Sequence, residues 1–276
     1  RSAAPAHRRG AAPIQTGPLV PATRKRPSAP ASSASASSAS SAGRKAPAPN
    51  FASLGVDPDL VADLAARGFT TPFPIQSATL RDTLAGRDVL GRGRTGSGKT
   101  LAFSLPLVQR LADEDCARAS HPIGLVLAPT RELALQIAET ITPLAAALDL
   151  TVTTIFGGVN QNPQVKALRA GVDIVVACPG RLLDLIAQGH CNLDEVSITV
   201  IDHMADLGFL PSVRRILRAT PADGQRMLFS ATLDNGVDAI VREFLHKPLQ
   251  HAVDPASSPV TDMDHRVWLL ADKTAK

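Results

Sequence analysis

From Phe51 onward, apolar positions fall into short, nearly continuous runs separated by longer stretches in which they recur at helical spacing. Six runs predict strands, at residues 88–91, 123–128, 151–156, 173–177, 197–201 and 226–230. Strands alternating with helices imply an α/β fold, a parallel sheet with helices on both faces, because each parallel step needs a crossover. Six strands suit one domain of about 200 residues. The first helix has the sharpest boundaries: Asp57 is an N-cap, Pro58 stands at the first helical position and Gly68 lets the chain leave. After His251 the segment Asp254-Pro-Ala-Ser-Ser-Pro259 reads as a linker. Residues 265–270 then read as a new strand starting just before Lys276, so the chain is expected to continue. The expected layout is a tail at 1–48, an α/β domain at 49–252, and a linker with the start of a second domain at 253–276.

Composition refines this picture at the ends. The 276 residues are 44% hydrophobic, enough for a folded core, and no apolar run approaches the roughly 18 residues a membrane helix needs. The net charge of +4 hides two opposed parts. Residues 1–50 hold eight Lys and Arg, eight Pro and no acid, whereas the rest holds 21 basic against 25 acidic residues. Such a tail buries too little apolar surface to offset the entropy of ordering, so disorder is expected. Its Arg24-Lys25-Arg26 cluster suits salt-sensitive attraction to phosphate backbones, or simple solubilisation. An acid-free, Arg- and Ser-rich start also matches an organelle transit peptide, although eight prolines oppose the amphipathic helix such peptides form. The first residue is Arg1 rather than Met, so a processed or partial chain is expected. Cys116, Cys178 and Cys191 are odd in number and lack metal-ligand spacing, so neither a disulfide scaffold nor a zinc site is expected. With no membrane segment, a cytoplasmic protein is the default expectation.

The strongest chemical signal is Gly93-Arg94-Thr95-Gly96-Ser97-Gly98-Lys99-Thr100, a G-x-x-x-x-G-K-[ST] string between a strand and a helix. Glycines there let backbone N–H groups converge on a phosphate, and the helix N-terminus adds its dipole. Lys99 would reach the β/γ oxygens and Thr100 would offer a Mg²⁺ ligand, so ATP or GTP with Mg²⁺ is the expected cofactor. Gln76, in Gly68-Phe-Thr-Thr-Pro-Phe-Pro-Ile-Gln76, carries an amide donor and acceptor able to pair with adenine and so select ATP.

Five further strings follow in order: Pro129-Thr130-Arg131-Glu-Leu-Ala134, Gly157-Gly158, Cys178-Pro179-Gly180-Arg181, an acid at Asp202, and Ser230-Ala-Thr232. Together with the phosphate loop these resemble the DEAD-box ATP-dependent RNA helicases, over residues 51 to about 252, the first RecA-like domain of that family. The resemblance implies that Pro129, Thr130, Arg131, Gly157, Gly158, Pro179, Gly180 and Arg181 contact RNA backbone without reading sequence, on single strands and short duplexes. It also implies that Ser230 and Thr232 couple nucleotide state to RNA grip, and that Phe51 packs near adenine; the alternative for Phe51 is a plain core anchor. Cys178 stands where the family usually has Thr, and a thiol donates only weakly.

One departure bears on catalysis. The family's strand ends in Asp-Glu-Ala-Asp, whereas here Ile198-Thr-Val-Ile-Asp202 runs straight into His203-Met-Ala-Asp206. Restoring three residues at Asp202 completes the family pattern, so a three-residue deletion is expected, and Asp202 stands for either the first or the last acid. The resemblance assigns Asp202 to Mg²⁺, through water, and assigns activation of the attacking water to a Glu with no local replacement. The expectation is an ATP-dependent RNA helicase domain impaired in hydrolysis; the rival readings are a non-catalytic nucleotide- and RNA-binding scaffold and another P-loop enzyme.

Overall fold

Strands such as Gly124–Leu127 and Ile174–Ala177 are buried along their whole length, so the sheet they form must be covered on both faces. The computed structural model describes residues 49–203, 208–231 and 235–253, and meets that requirement. After a short 3₁₀ turn, Ala52–Leu54, the elements are α1 (Pro58–Ala66), α2 (Pro74–Leu84), β1 (Val89–Arg92), α3 (Lys99–Leu111), β2 (Gly124–Leu127), α4 (Arg131–Ala147), β3 (Val152–Ile155), α5 (Asn162–Arg169), β4 (Ile174–Ala177), α6 (Pro179–Ala187), β5 (Ile198–Asp202), α7 (Leu210–Leu217), β6 (Gln225–Ser230), α8 (Asn235–Phe244) and β7 (Leu249–Ala252). The sheet is parallel throughout, in the order β3-β4-β2-β5-β6-β1-β7.

Strand periodicity sorts the core into two layers. Val126, Ile174, Val176, Ile198, Val200 and Phe229 pack with α1 to α4, whereas Leu125, Val175, Ala177, Ile201 and Leu228 pack with α5 to α8. Gly91 shows how tight the first layer is: a Cβ there would lie 2.4 Å from the Phe229 ring, which packs tilted against Phe103 with centroids 5.5 Å apart. At the N-terminal ends of the strands, buried carboxylates set the register. Asp88 accepts from the N–H groups of Arg226 and His246, and Asp173 accepts from Thr151 N–H and Oγ1 and from Ala117 N–H.

The six expected strands are all present, each displaced by no more than a residue at either end. The seventh, β7, departs from the expectation. It is an edge strand whose Leu-Gln-His-Ala alternates half-buried and exposed positions, a pattern shared with loops, and it bonds to β1. The expected disordered tail, linker and further strand at 265–270 lie outside the described residues.

Candidate functional site

Because every strand is parallel, all seven C-terminal ends share one edge, where ligands of open α/β sheets bind. Strand order then divides the chemistry. Neighbouring β3, β4 and β2 deliver Gly157-Gly158, Cys178 to Arg181, and Pro129 to Arg131. Neighbouring β5, β6 and β1 deliver Asp202, Ser230 and the Gly93–Thr100 loop. Residues scattered over 130 positions thereby form two adjoining groups. Thr232 lies outside the described residues.

The loop after β1 is shaped as an anion cradle. Gly93 N–H donates to Ser230 O at 3.2 Å, which pins the loop to the end of β6. Arg94, Thr95 and Gly96 are exposed at its tip, and Thr100 sits half-buried in the first turn of α3. Gly98 caps α3 with φ +87°, a left-handed conformation that disfavours any Cβ. The Lys99 side chain is 4% exposed and folds back onto the loop, donating from Nζ to Gly93 O at 2.6 Å and Arg94 O at 2.9 Å. An ammonium buried against neutral carbonyls gains by exchanging them for phosphate oxygens. Ser97 Oγ is buried without a hydrogen-bond partner, a second group suited to a phosphate. The loop therefore fits the phosphates of a nucleotide.

Gln76 is fully buried at the start of α2. Its Oε1 accepts from Phe73 N–H at 2.8 Å and its Nε2 donates to Gly98 O at 2.9 Å, so the amide bridges α2 to the phosphate loop. A Cβ on Gly98 would fall 2.6 Å from Gln76 Nε2 and 2.9 Å from the Phe73 ring. Phe51 is 3% exposed within the first core layer, whereas Phe73 is 48% exposed against Gly98. Phe73 is not among the residues expected from the sequence; an aromatic between two prolines was the available signal.

Asp202 ends β5, 1% exposed and registered against Phe229. His203 follows with φ +52°, a left-handed turn that costs a non-glycine residue about 1–2 kcal/mol. Its N–H donates to Phe229 O at 3.0 Å, and its Nδ1 lies 2.7 Å from Asp202 Oδ1. Neither of those side-chain atoms makes a hydrogen bond of good geometry, so the contact rests on proximity alone. Among the described residues no group of three or more His, Cys, Asp or Glu side chains could hold a metal ion, so a cation here would depend on phosphate and water oxygens beside Asp202 and Thr100.

The second group is tied together by side chains. Thr130 caps α4, its Oγ1 accepting from Leu133 N–H at 3.2 Å. The Arg131 guanidinium lies 4.9 Å from the centroid of Phe156, the residue immediately before Gly157. Arg181 donates from both Nη atoms to Val159 O at 3.2 Å, which joins the first turn of α6 to the loop after β3. Pro179 and Gly180 open α6, and Gly157 and Gly158 are exposed with open space where a Cβ would stand. Burial, and then the charge of Glu132, push the Cys178 thiol above its ordinary range.

Comparison with known proteins identifies relatives of this chain. Residues 73–240 match the family model described as DEAD/DEAH box helicase. Over 205 residues the chain is 45% identical to DEAD-box ATP-dependent RNA helicase 3A, chloroplastic, of Zea mays, covering 72% of this chain and 27% of that protein. It is 40% identical to DEAD-box ATP-dependent RNA helicase 9, mitochondrial, of Arabidopsis thaliana, over 72% of this chain and 33% of that one. With DEAD-box ATP-dependent RNA helicase 20 of Oryza sativa subsp. japonica the identity is 42%, over 75% of this chain and 43% of the relative. The crystal structure of a DEAD box protein from the hyperthermophile Methanococcus jannaschii superposes with a TM-score of 0.65 at 32% identity, covering 73% of this chain and 55% of that one. The chain thus spans about a quarter to two fifths of the length of these curated relatives.

Proposed function

Because this chain belongs to the DEAD/DEAH box helicase family, we propose that it is the nucleotide- and RNA-contacting domain of an ATP-dependent RNA helicase. The observation that carries the reading is the shared sheet edge, with a phosphate cradle after β1 and an Arg-bearing group after β2, β3 and β4 in which Thr130, Arg131, Gly157, Gly158 and Gly180 are exposed and Pro129 and Pro179 are buried. In this reading Lys99 and the loop N–H groups hold the triphosphate, while the buried amide of Gln76, occupied by Phe73 N–H and Gly98 O rather than turned to adenine, fixes the loop. Mg²⁺, when bound with ATP beside Thr100 and Asp202, supplies the positive charge that offsets the phosphates. Thr130, Arg131, Gly157, Gly158, Pro179, Gly180 and Arg181 grip the backbone of a single strand or a short duplex, independent of base sequence. Ser230 steadies the phosphate loop, since its carbonyl accepts from Gly93 N–H. Unwinding would need a second RecA-like domain closing on this edge.

The turn after β5 favours a narrower reading, in which this chain binds but hydrolyses poorly. The residue after Asp202 is His203, whose ring lies against the Asp202 carboxylate, and the sequence offers no Glu there to deprotonate water. With a full second domain attached, RNA-stimulated phosphate release should stay near background, and inserting Glu-Ala-Asp after Asp202 should raise it by orders of magnitude. Equal release from the two forms would refute the narrower reading. A cytoplasmic setting competes with an organellar one, since relatives are named chloroplastic and mitochondrial, and a fluorescent fusion separates the two. Among the described residues no helix is long and apolar enough to cross a membrane.

A further inference from the structure

Resting on the RNA reading above, we infer that the RNA path continues beyond Gly157 and Gly158 into a second phosphate-binding pocket between α5 and the end of α6. A concavity of about 280 Å³ is lined there by Gln161, Asn162, Val165, Lys166, Arg169 and His190. Val165 and Leu168 bury the inner face of α5, which turns the exposed Lys166 and Arg169, three residues apart, onto one outer face. Gln161 closes one wall by donating from Nε2 to Gln188 Oε1 at 2.9 Å. Two permanent cations and a histidine line this pocket with no carboxylate among them, which leaves its charge to be complemented by an anion from outside.

Location selects the anion. The wall residues Gln161 and Asn162 follow Gly158 by three and four positions, and Arg181 is bonded to Val159 within the same loop. A strand whose phosphates pass Gly157, Gly158 and Arg181 reaches this pocket next, so the ligand is a phosphodiester of the same RNA. Its contribution is electrostatic and independent of base sequence. The competing reading makes Lys166 and Arg169 a solvated helix end that complements the dipole of α5, with no dependence on RNA length.

The test is fluorescence anisotropy of the full 276-residue chain with labelled oligouridylates of about six and about fifteen nucleotides. The variant is Lys166→Glu with Arg169→Glu, and its charge-matched control is Arg87→Glu with Lys247→Glu, at the opposite ends of the strands. The longer RNA should bind the pocket variant about tenfold more weakly, with a salt slope smaller by about 1.4, while the shorter RNA and the control change little. The neutral pair Lys166→Gln with Arg169→Gln, which disturbs the fold least, should give a smaller loss of the same kind. Equal losses from pocket and control pairs, or an unchanged affinity for the longer RNA, would overturn the inference. Failure of the RNA reading itself shows separately, as short-RNA binding that ignores Arg131→Ala.

Discussion

Replacing Gln76 by Ala should weaken the folded protein before any nucleotide is present. The side chain is fully buried and makes two bonds, from Phe73 N–H and to Gly98 O. Gly98 O keeps a second donor in Ala102 N–H at 3.2 Å, so losing Nε2 costs only an ordinary hydrogen bond of about 1 kcal/mol. Phe73 N–H loses its side-chain acceptor at the start of α2, which adds about 1–2 kcal/mol. The sum, about 2–3 kcal/mol, corresponds to a fall in Tm of about 5–10 °C for a domain of this size. Releasing the loop also disorders Gly98, so affinity should fall for ATP and GTP alike. Calorimetric melting of the nucleotide-free variant, paired with titrations of both nucleotides, reads these effects. An unchanged Tm with a loss confined to ATP would show that Gln76 acts through the base alone, and the structural reasoning would be wrong.

Other outcomes follow from single contacts. Arg131→Ala and Phe156→Leu should each weaken RNA binding, and the double variant should lose less than the sum, with a coupling of about 0.5–2 kcal/mol for the stacked cation; additivity would refute the positioning role. Phe73→Ala should lower affinity for ATP several-fold but leave inorganic triphosphate binding unchanged, since the exposed ring beside Gly98 offers a face to the base; equal losses for both ligands would point to the loop instead. Alkylation should label exposed Cys116 first. Cys178, raised by burial and then by Glu132, should react slowly, reaching half its maximal rate above the pH of about 8.5 at which a free thiol does. Cys191, pushed up to about 12 by burial, should stay silent until denaturant is added, and its early labelling in native buffer would contradict the packing.

The sheet was legible because β2, β4, β5 and β6 are buried on both faces, so each carries at least three consecutive or nearly consecutive apolar residues. The edge strand β7 was not, since half its positions face outward and nothing in Leu-Gln-His-Ala separates it from a loop. The phosphate loop was visible because its glycines and lysine are contiguous. The bridge from Gln76 to Gly98 was invisible because its partners stand 22 residues apart and one is a backbone carbonyl. The same applies to Arg131 on Phe156, where only the pairing of β3 and β2 across β4 brings the residues together. His203 carried only a weak local sign of its left-handed turn, because His adopts that conformation more often than most side chains but far less readily than Gly.

The central claim is that one sheet edge holds nucleotide and RNA through separate residues, and a paired titration tests it most directly. The 276-residue chain would be titrated with ATP and Mg²⁺, and with labelled single-stranded RNA, alongside Lys99→Ala and Arg131→Ala. The account predicts that Lys99→Ala removes ATP binding and leaves RNA binding largely intact, and that Arg131→Ala does the reverse. ATP and RNA binding indifferent to both substitutions would contradict it.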